Sequence, residues 1–201
     1  MNISIILAHP NPKSFNHAIA QAAMEALARN NHTPALHDLY QENFPALLTT
    51  AEFETDAKLD PVIAQHCRET AAADGIIIVH PNWWDMPPAI LKGWIDRVLR
   101  PEIAYRFGPN DKGEIVSFGL LKAKSAIIFN TANTPEENTR GVFGDPLEGL
   151  WKKCVFGLCG VRDAQRRTFT PVIASTPPQR AGWLKEAGEM VARHFPAAPK
   201  H

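Results

Sequence analysis

Val79 to Tyr105 reads V-H-P-N-W-W-D-M-P-P-A-I-L-K-G-W-I-D-R-V-L-R-P-E-I-A-Y and joins three physically different segments in a fixed order. The β-branched run Ile76-Ile77-Ile78-Val79 suits a strand buried on both faces, and His80-Pro81 stops it because proline cannot donate to a ladder. Pro88 suits a first helical turn, after which Ile90, Leu91, Trp94, Ile95, Val98 and Leu99 recur with helical period. The loop Asn82 to Pro87 therefore lies beyond a strand's carboxyl end. Its exposed tryptophans, Trp83 and Trp84, are costly unless they contact something, and open α/β sheets bind ligands in the crevice beyond their strand ends. Both rings are candidates for the wall against which a flat heteroaromatic lies.

The opening of the chain supplies a matching half-site. Ile3 to Leu7 reads as a fully buried strand, and Ala8-His9-Pro10-Asn11-Pro12-Lys13-Ser14-Phe15-Asn16-His17-Ala18 leads into an Ala-rich helix running to about Asn30. A loop that brings free backbone N–H groups, a serine, an asparagine and a lysine to a helix start is an anion site, with phosphate as its natural guest. It has no glycine, so it is neither a Walker loop nor the fingerprint G-x-G-x-x-G, which argues against a Rossmann dehydrogenase. His9 either fills a strand end or donates to phosphate. Ser14 and Asn16 can cap their helix and contact an anion with the same geometry. Phe15 offers a backbone N–H while its ring serves as an apolar anchor.

Working outward, strands are expected near 3–8, 34–39, 75–80, 125–131 and 165–170, with helices near 15–29, 61–73, 88–100, 145–158 and 179–194. This alternation means a parallel sheet covered on both faces. The stretches near 40–60 and 101–123 read as long surface loops, and Pro196–His201 as a frayed tail. Trp94 and Ile95 are core, Lys92, Asp96 and Arg97 form a solvated or interface face, and Tyr105 is either a substrate rim or a packed tyrosine. Past the apolar run Ala126–Phe129, the small and polar residues Asn130, Thr131, Ala132, Asn133 and Thr134 mark a third strand end suited to close backbone approach.

With 201 residues and 45% hydrophobic content, the chain suits one α/β domain spanning 1–201. No secretory leader or membrane-length apolar run is evident, so a soluble, unprocessed cytoplasmic protein is expected. Cys67, Cys154 and Cys159 read as reduced structural thiols rather than disulfides or metal ligands. Twenty-one basic residues balance 21 acidic ones with no basic cluster, which gives a nucleic-acid role no support.

The motif L-A-H-P-x-P-x-S-F-N-x-A, the motif P-x-W-W-x-x-P-P-A-I-L-K-G-W-I-D-R-V with its following A-Y, and more weakly Phe129–Asn133 and Gly144-Asp145 resemble the flavodoxin-like NAD(P)H:quinone oxidoreductase family. The resemblance touches roughly the first four-fifths of the chain. It implies a flavodoxin-like three-layer sandwich with a five-stranded parallel sheet in the order 2-1-3-4-5 and a switch point between strands one and three. It also implies hydride transfer from NADH or NADPH onto a flavin and two-electron delivery to a quinone-like acceptor, in a homodimer with the flavin near the subunit interface. FMN is favoured over FAD because the loop accounts for one phosphate.

Cofactor contacts then fall at His9, Ser14, Phe15 and Asn16, at Pro81, Asn82, Trp83, Trp84 and Asp85, and at Asn130, Thr131, Ala132 and Asn133. Trp84 matches the position that packs along the flavin ring, and Asn82 and Asp85 are expected to act through their backbones. Two departures stand out. Asn130 and Ala132 occupy positions where the family commonly has threonine-like residues and glycines. Phe143 directly precedes Gly144-Asp145, and no tyrosine occurs in 131–145, so the family's tyrosine and histidine relay is not carried over and no catalytic side chain is assigned. Two rivals remain: a flavodoxin-type electron carrier, which would use the same fold but is expected to be acidic, and an ancillary flavoprotein that regulates a membrane transporter, which is compatible with these motifs.

Overall fold

The computed structural model describes residues 1–54 and 57–197. Five parallel strands, β1 (Asn2–Leu7), β2 (Thr33–Asp38), β3 (Gly75–Pro81), β6 (Ser125–Thr131) and β7 (Asp163–Phe169), form one sheet in the order β2-β1-β3-β6-β7. Counting only these strands, that is the expected order 2-1-3-4-5. The helices are α1 (Phe15–Arg29), α2 (Pro61–Ala72), α3 (Ala89–Val98), α4 (Glu136–Phe143), α5 (Pro146–Glu148), α6 (Phe156–Leu158) and α7 (Pro177–His194), with a π-helical segment Gly149–Val155 joining α5 to α6. No described helix is long and apolar enough to cross a membrane.

The period of two along each strand divides the core into two layers. Ile3, Ile5, Leu7, Ile77, Val79, Ile127 and Phe129 face α1 and α7, where they meet Ile19, Ala23, Ala187 and Val191. The alternate residues Ile6, Ile76, Ile78, Ala126 and Ile128 pack on Ile63, Leu91, Trp94, Val98 and Trp151. Both faces are thus dry, and β3 is buried along its whole length. Trp94 is core as expected.

Four segments differ from the expectation. The stretch near 101–123 contains an antiparallel hairpin of β4 (Tyr105–Pro109) and β5 (Ile115–Gly119). Its turn is held by Asn110 Oδ1, which accepts from Lys112 N at 2.9 Å and Glu114 N at 3.0 Å, with Gly113 at φ +79°. Asparagine and glycine allow that bend, and the apolar alternation of the flanks supplies the strands. Tyr105 is half-buried on this hairpin, 5.6 Å from Phe107, and lies away from the strand-end crevice.

The stretch near 40–60 carries a 3-10 turn, Thr50–Phe53, that delivers Glu52 to Arg97; Thr55 and Asp56 lie outside the described residues. Arg97 is accordingly only 5% exposed, contrary to its placement on a solvated or interface face, because the Glu52 carboxylate compensates its burial. Lys92 and Asp96 do form an exposed i,i+4 pair. Gly93 permits this loop to lie on α3, since a Cβ there would meet Ala46 O at 2.1 Å. Helix α4 lies where the sequence pattern predicts no helix, and the helix expected over 145–158 contains the π segment. All three cysteines are free, with Cys154 exposed rather than packed. Residues 198–201 of the expected tail lie outside the described residues.

Candidate active site

Three neighbouring strands end at one crevice because the registers align Leu7 with Val79 and Pro81 with Thr131. A narrow cavity of about 260 Å³ is lined by His9, Ser14, Phe15 and Asn16 from the β1–α1 loop, by Pro81, Asn82 and Trp83 after β3, and by Thr131, Ala132 and Asn133 after β6. A broader cavity of about 610 Å³ shares Asn82, Ala132, Asn133 and Thr134 and adds Trp84, Asp85, Phe143 and Pro146. Of the expected cofactor contacts, Asn130 alone lines neither: its side chain is fully buried beneath the floor. β6 turns Asn130 towards the layer opposite to Phe129, and Thr131 is the first side chain to reach the crevice.

The narrow cavity is built to receive an anion. Ser14 caps α1 by accepting from His17 N at 3.4 Å, while the N–H groups of Phe15 and Asn16 begin the helix without an intrahelical partner. The Phe15 ring turns into the core, 6.1 Å from Phe169 and 5.9 Å from Trp183, and so anchors the loop. His9 Nδ1 accepts from Asn11 N at 3.1 Å, so the neutral ring carries its proton on Nε2 and is a donor there. Burial lowers the His9 pKa and favours this neutral form. Asn16 donates to Thr131 Oγ1 at 2.9 Å, but its buried Oδ1 has no partner.

At the mouth, Trp83 and Met86 exchange two backbone hydrogen bonds of 3.1 Å around Trp84 and Asp85, which lie at φ +57° and +54°. This turn ordinarily takes Asn-Gly, so a tryptophan and an aspartate held there store strain of about 1–3 kcal/mol per residue. The Trp84 side chain stands 97% exposed. Asn82 departs from its expected role, since its N–H is taken by Thr131 O at 2.7 Å. The register that ends the β3–β6 pairing uses that group, and its side chain reaches Asp85 Oδ1 at 2.8 Å instead. The buried Asn82 Oδ1 is left without a partner.

A polar network lies directly beneath. His80 Nδ1 donates to Pro81 O at 2.8 Å, while its Nε2 accepts from Asn130 Nδ2 at 2.8 Å and Trp151 Nε1 at 2.9 Å. Arg166 donates to Asn130 Oδ1 at 3.1 Å, Thr168 Oγ1 at 2.9 Å, Glu148 at 2.9 Å and also to Asp145. Complete burial pushes the His80 pKa down to about 4. An unfolded histidine binds its proton near pH 6.5, so between the two values the unfolded chain holds more protons and stability is lost as pH falls. Replacing His80→Gln should remove up to about 1.4 kcal/mol per pH unit of that slope between pH 6.5 and 4. Urea denaturation at three pH values checks this, and an unchanged slope would exclude His80 as the source.

Residues 1–190 match the model of a family described as having the flavodoxin-like fold. A ribosyldihydronicotinamide dehydrogenase (quinone) of Rattus norvegicus is 31% identical over 210 residues, covering 91% of this chain and 89% of its own. The chain belongs to the flavodoxin-like NAD(P)H:quinone oxidoreductase family. A solved NAD(P)H:quinone oxidoreductase from Methanothermobacter marburgensis superposes with a TM-score of 0.80 at 25% identity, over 95% of this chain and 97% of the other. An FMN-dependent NADH-azoreductase from Bacillus anthracis, solved with FMN, shares the fold with a TM-score of 0.76 at 19% identity, over 96% and 99% of the two chains.

As a member of this oxidoreductase family, the chain has several site features that sequence reading missed. Phe143 and Pro146 reach the broader cavity because α4 and the Gly144-Asp145 corner, at φ +71° and +55°, fold back over it. The signal available was Gly144 itself, which marks a left-handed turn. His17 and Asp38 stand behind Ser14, joined to each other at 2.8 Å, a pairing across 21 residues that periodicity does not reveal.

A second cluster, His37, Glu42 and His66, brings its ligand-type atoms within 4.8 Å of one another. Trp94 Nε1 donates to His66 Nδ1 at 3.1 Å, so the His66 proton sits on Nε2 and points at Glu42 at 3.0 Å. That tautomer makes His66 Nε2 a donor and unsuits it as a metal ligand.

Proposed function

We propose that the crevice holds FMN and that the chain passes two electrons from NAD(P)H to quinones or similar electrophilic acceptors. The observation that carries this is a pair of buried amide oxygens, Asn16 Oδ1 and Asn82 Oδ1, without partners among the described residues, on one narrow cavity beside helix-start amides that lack an intrahelical partner. Buried acceptors of this kind call for a ligand rich in donors. A flavin mononucleotide meets both needs with ribityl hydroxyls and one phosphate, and the start of α1 offers one anion cradle.

When bound, the flavin supplies the redox chemistry, accepting hydride from the nicotinamide and giving electrons to the acceptor. Ser14, Phe15 and Asn16 would bind the phosphate, with the His9 Nε2–H as a further donor. Trp84, Phe143 and the backbone of Ala132 to Thr134 would wall the ring site and exclude water. The N–H groups of Trp84 and Asp85, unpartnered among the described residues, would donate to negative charge that develops at the ring edge. Asp85 is the one titratable lining residue of the broader cavity among the described residues, and the chain's contribution there is orientation and electrostatics.

The whole chain acts as one flavin-binding domain in this reading, and a second copy completes the site. Trp84 and Phe143 on the broader cavity, with Met86 and Val142 beside them in the chain, are exposed apolar side chains that a symmetric partner would cover. Three free thiols suit the reducing cytoplasm. Balanced charge does not favour an electron carrier.

The purified protein should be yellow, release a compound of FMN mass on denaturation, oxidise NAD(P)H in the presence of a quinone, and scatter light as a dimer. A colourless protein that takes up neither FMN nor FAD would overturn the cofactor reading. A monomer with full activity would overturn the shared site.

A further inference from the structure

We propose that His17 couples phosphate binding at the start of α1 to the uptake of one proton, as a positioning residue for the Ser14 hydroxyl. The inference rests on the flavin reading and concerns the phosphate end of that ligand. Position 17 is the open position of the S-F-N-x-A motif, so the device belongs to this chain rather than to the motif.

A neutral imidazole has one N–H to place. Asp38 Oδ2 lies 2.8 Å from His17 Nε2 and, as a carboxylate, can only accept, so Nε2 carries the proton. Asp38 is held in this orientation because its Oδ1 accepts from Tyr40 N at 3.1 Å and Gln41 N at 3.2 Å. His17 Nδ1 therefore presents a lone pair 2.9 Å from Ser14 Oγ, and the Ser14 hydroxyl must donate to it. A hydroxyl has one hydrogen. With it committed to His17, Ser14 turns only lone pairs towards an anion in the cavity it lines.

A proton from solvent added to Nδ1 reverses this bond. Nδ1–H then donates to Ser14 Oγ, and the hydroxyl hydrogen is released to the phosphate. The groups facing His17 are Asp38 from the end of β2 and His9 from the β1–α1 loop, whose ring centroid lies 6.4 Å away. The Asp38 carboxylate offsets the unfavourable field that the helix start imposes on an imidazolium, and the arriving phosphate adds to that compensation. Burial favours neutral His9, which limits repulsion between the two rings. Because phosphate favours protonated His17, proton and phosphate favour each other reciprocally.

Titration calorimetry of the flavin-free full chain with FMN, in buffers of different ionisation enthalpy, tests the coupling. Between pH 7 and 9 up to one proton should be taken up per FMN, and FMN affinity should fall with rising pH to the extent that protons are taken up. The FMN phosphate is already a dianion there, since its second pKa is about 6. His17→Phe should bind FMN without proton uptake and with a flat affinity over that range. Asp38→Asn, which removes the compensating carboxylate, should reduce the uptake at pH 8 should the first variant fail to fold. Riboflavin, which lacks the phosphate, should bind the parent protein without uptake.

Equal proton uptake by parent and His17→Phe, undiminished uptake by Asp38→Asn, or equal uptake with riboflavin overturns the role of His17 while leaving the flavin reading intact. Failure of the parent protein to bind any of FMN, FAD or riboflavin overturns both.

Discussion

Ser14→Glu should lower FMN affinity by about 10²–10³-fold, the largest effect expected of a single change in the crevice. Ser14 is half-buried at the start of α1 and lines the narrow cavity, so a carboxylate there meets the phosphate about 4 Å away in a site with restricted water. Two like charges at that separation repel by about 4 kcal/mol at an effective dielectric of 20, and partial exposure reduces this to about 3–4. Asn16→Asp should act in the same direction, because Asn16 is buried and its Oδ1 already lacks a partner. Equilibrium titration of the flavin-free protein with FMN, followed by flavin fluorescence, measures both. Affinities within threefold of the parent would show that the phosphate does not bind at this helix start. A control with riboflavin should show a much smaller loss, since it brings no charge.

Replacing Arg166→Met should destabilise the fold by about 3–5 kcal/mol, the cost of removing one partner from a buried ionic cluster. The Arg166 side chain is 6% exposed and holds Asn130, Thr168, Asp145 and Glu148 together, whereas methionine keeps much of the volume and none of the donors. Burial opposes ionisation of Glu148, yet hydrogen bonds from Lys152 and Arg166 hold its pKa below the usual carboxylate value. Urea denaturation should give a lower midpoint with an unchanged slope. A loss below about 1 kcal/mol would mean that water satisfies the cluster. Because the Gly144-Asp145 corner carries Phe143 and Pro146 to the broader cavity, flavin binding should weaken along with stability.

The elements that the sequence predicted well are those whose side chains obey one period. Ile76 to Val79 is buried on both sides, and an unbroken β-branched run has few other solutions. The α3 pattern from Ile90 to Leu99 and the Ala-rich α1 behave in the same way, and so the loops that follow β1 and β3 were placed beside the crevice. The β4–β5 hairpin is not legible in the sequence because its strands are short and mostly exposed, with polar turn residues that resemble an ordinary loop. The burial of Arg97 is hidden for a related reason: helical periodicity shows where a charged residue sits on a helix, while only the Glu52 turn across 45 residues shows that its charge is compensated.

Local order along the chain was enough to determine a parallel α/β sheet, a helix-start anion loop and an aromatic turn at one set of strand ends, because those features depend on neighbours within a few residues. Proton positions and ligand walls were settled by contacts distant in sequence. His17 meets Asp38, Trp151 meets His80, and Arg166 meets Asn130 across 21, 71 and 36 residues. Each partner fixes which nitrogen or oxygen carries a hydrogen. A tautomer is chosen by whatever the folded chain brings within 3 Å or so, and no spacing in the sequence encodes that.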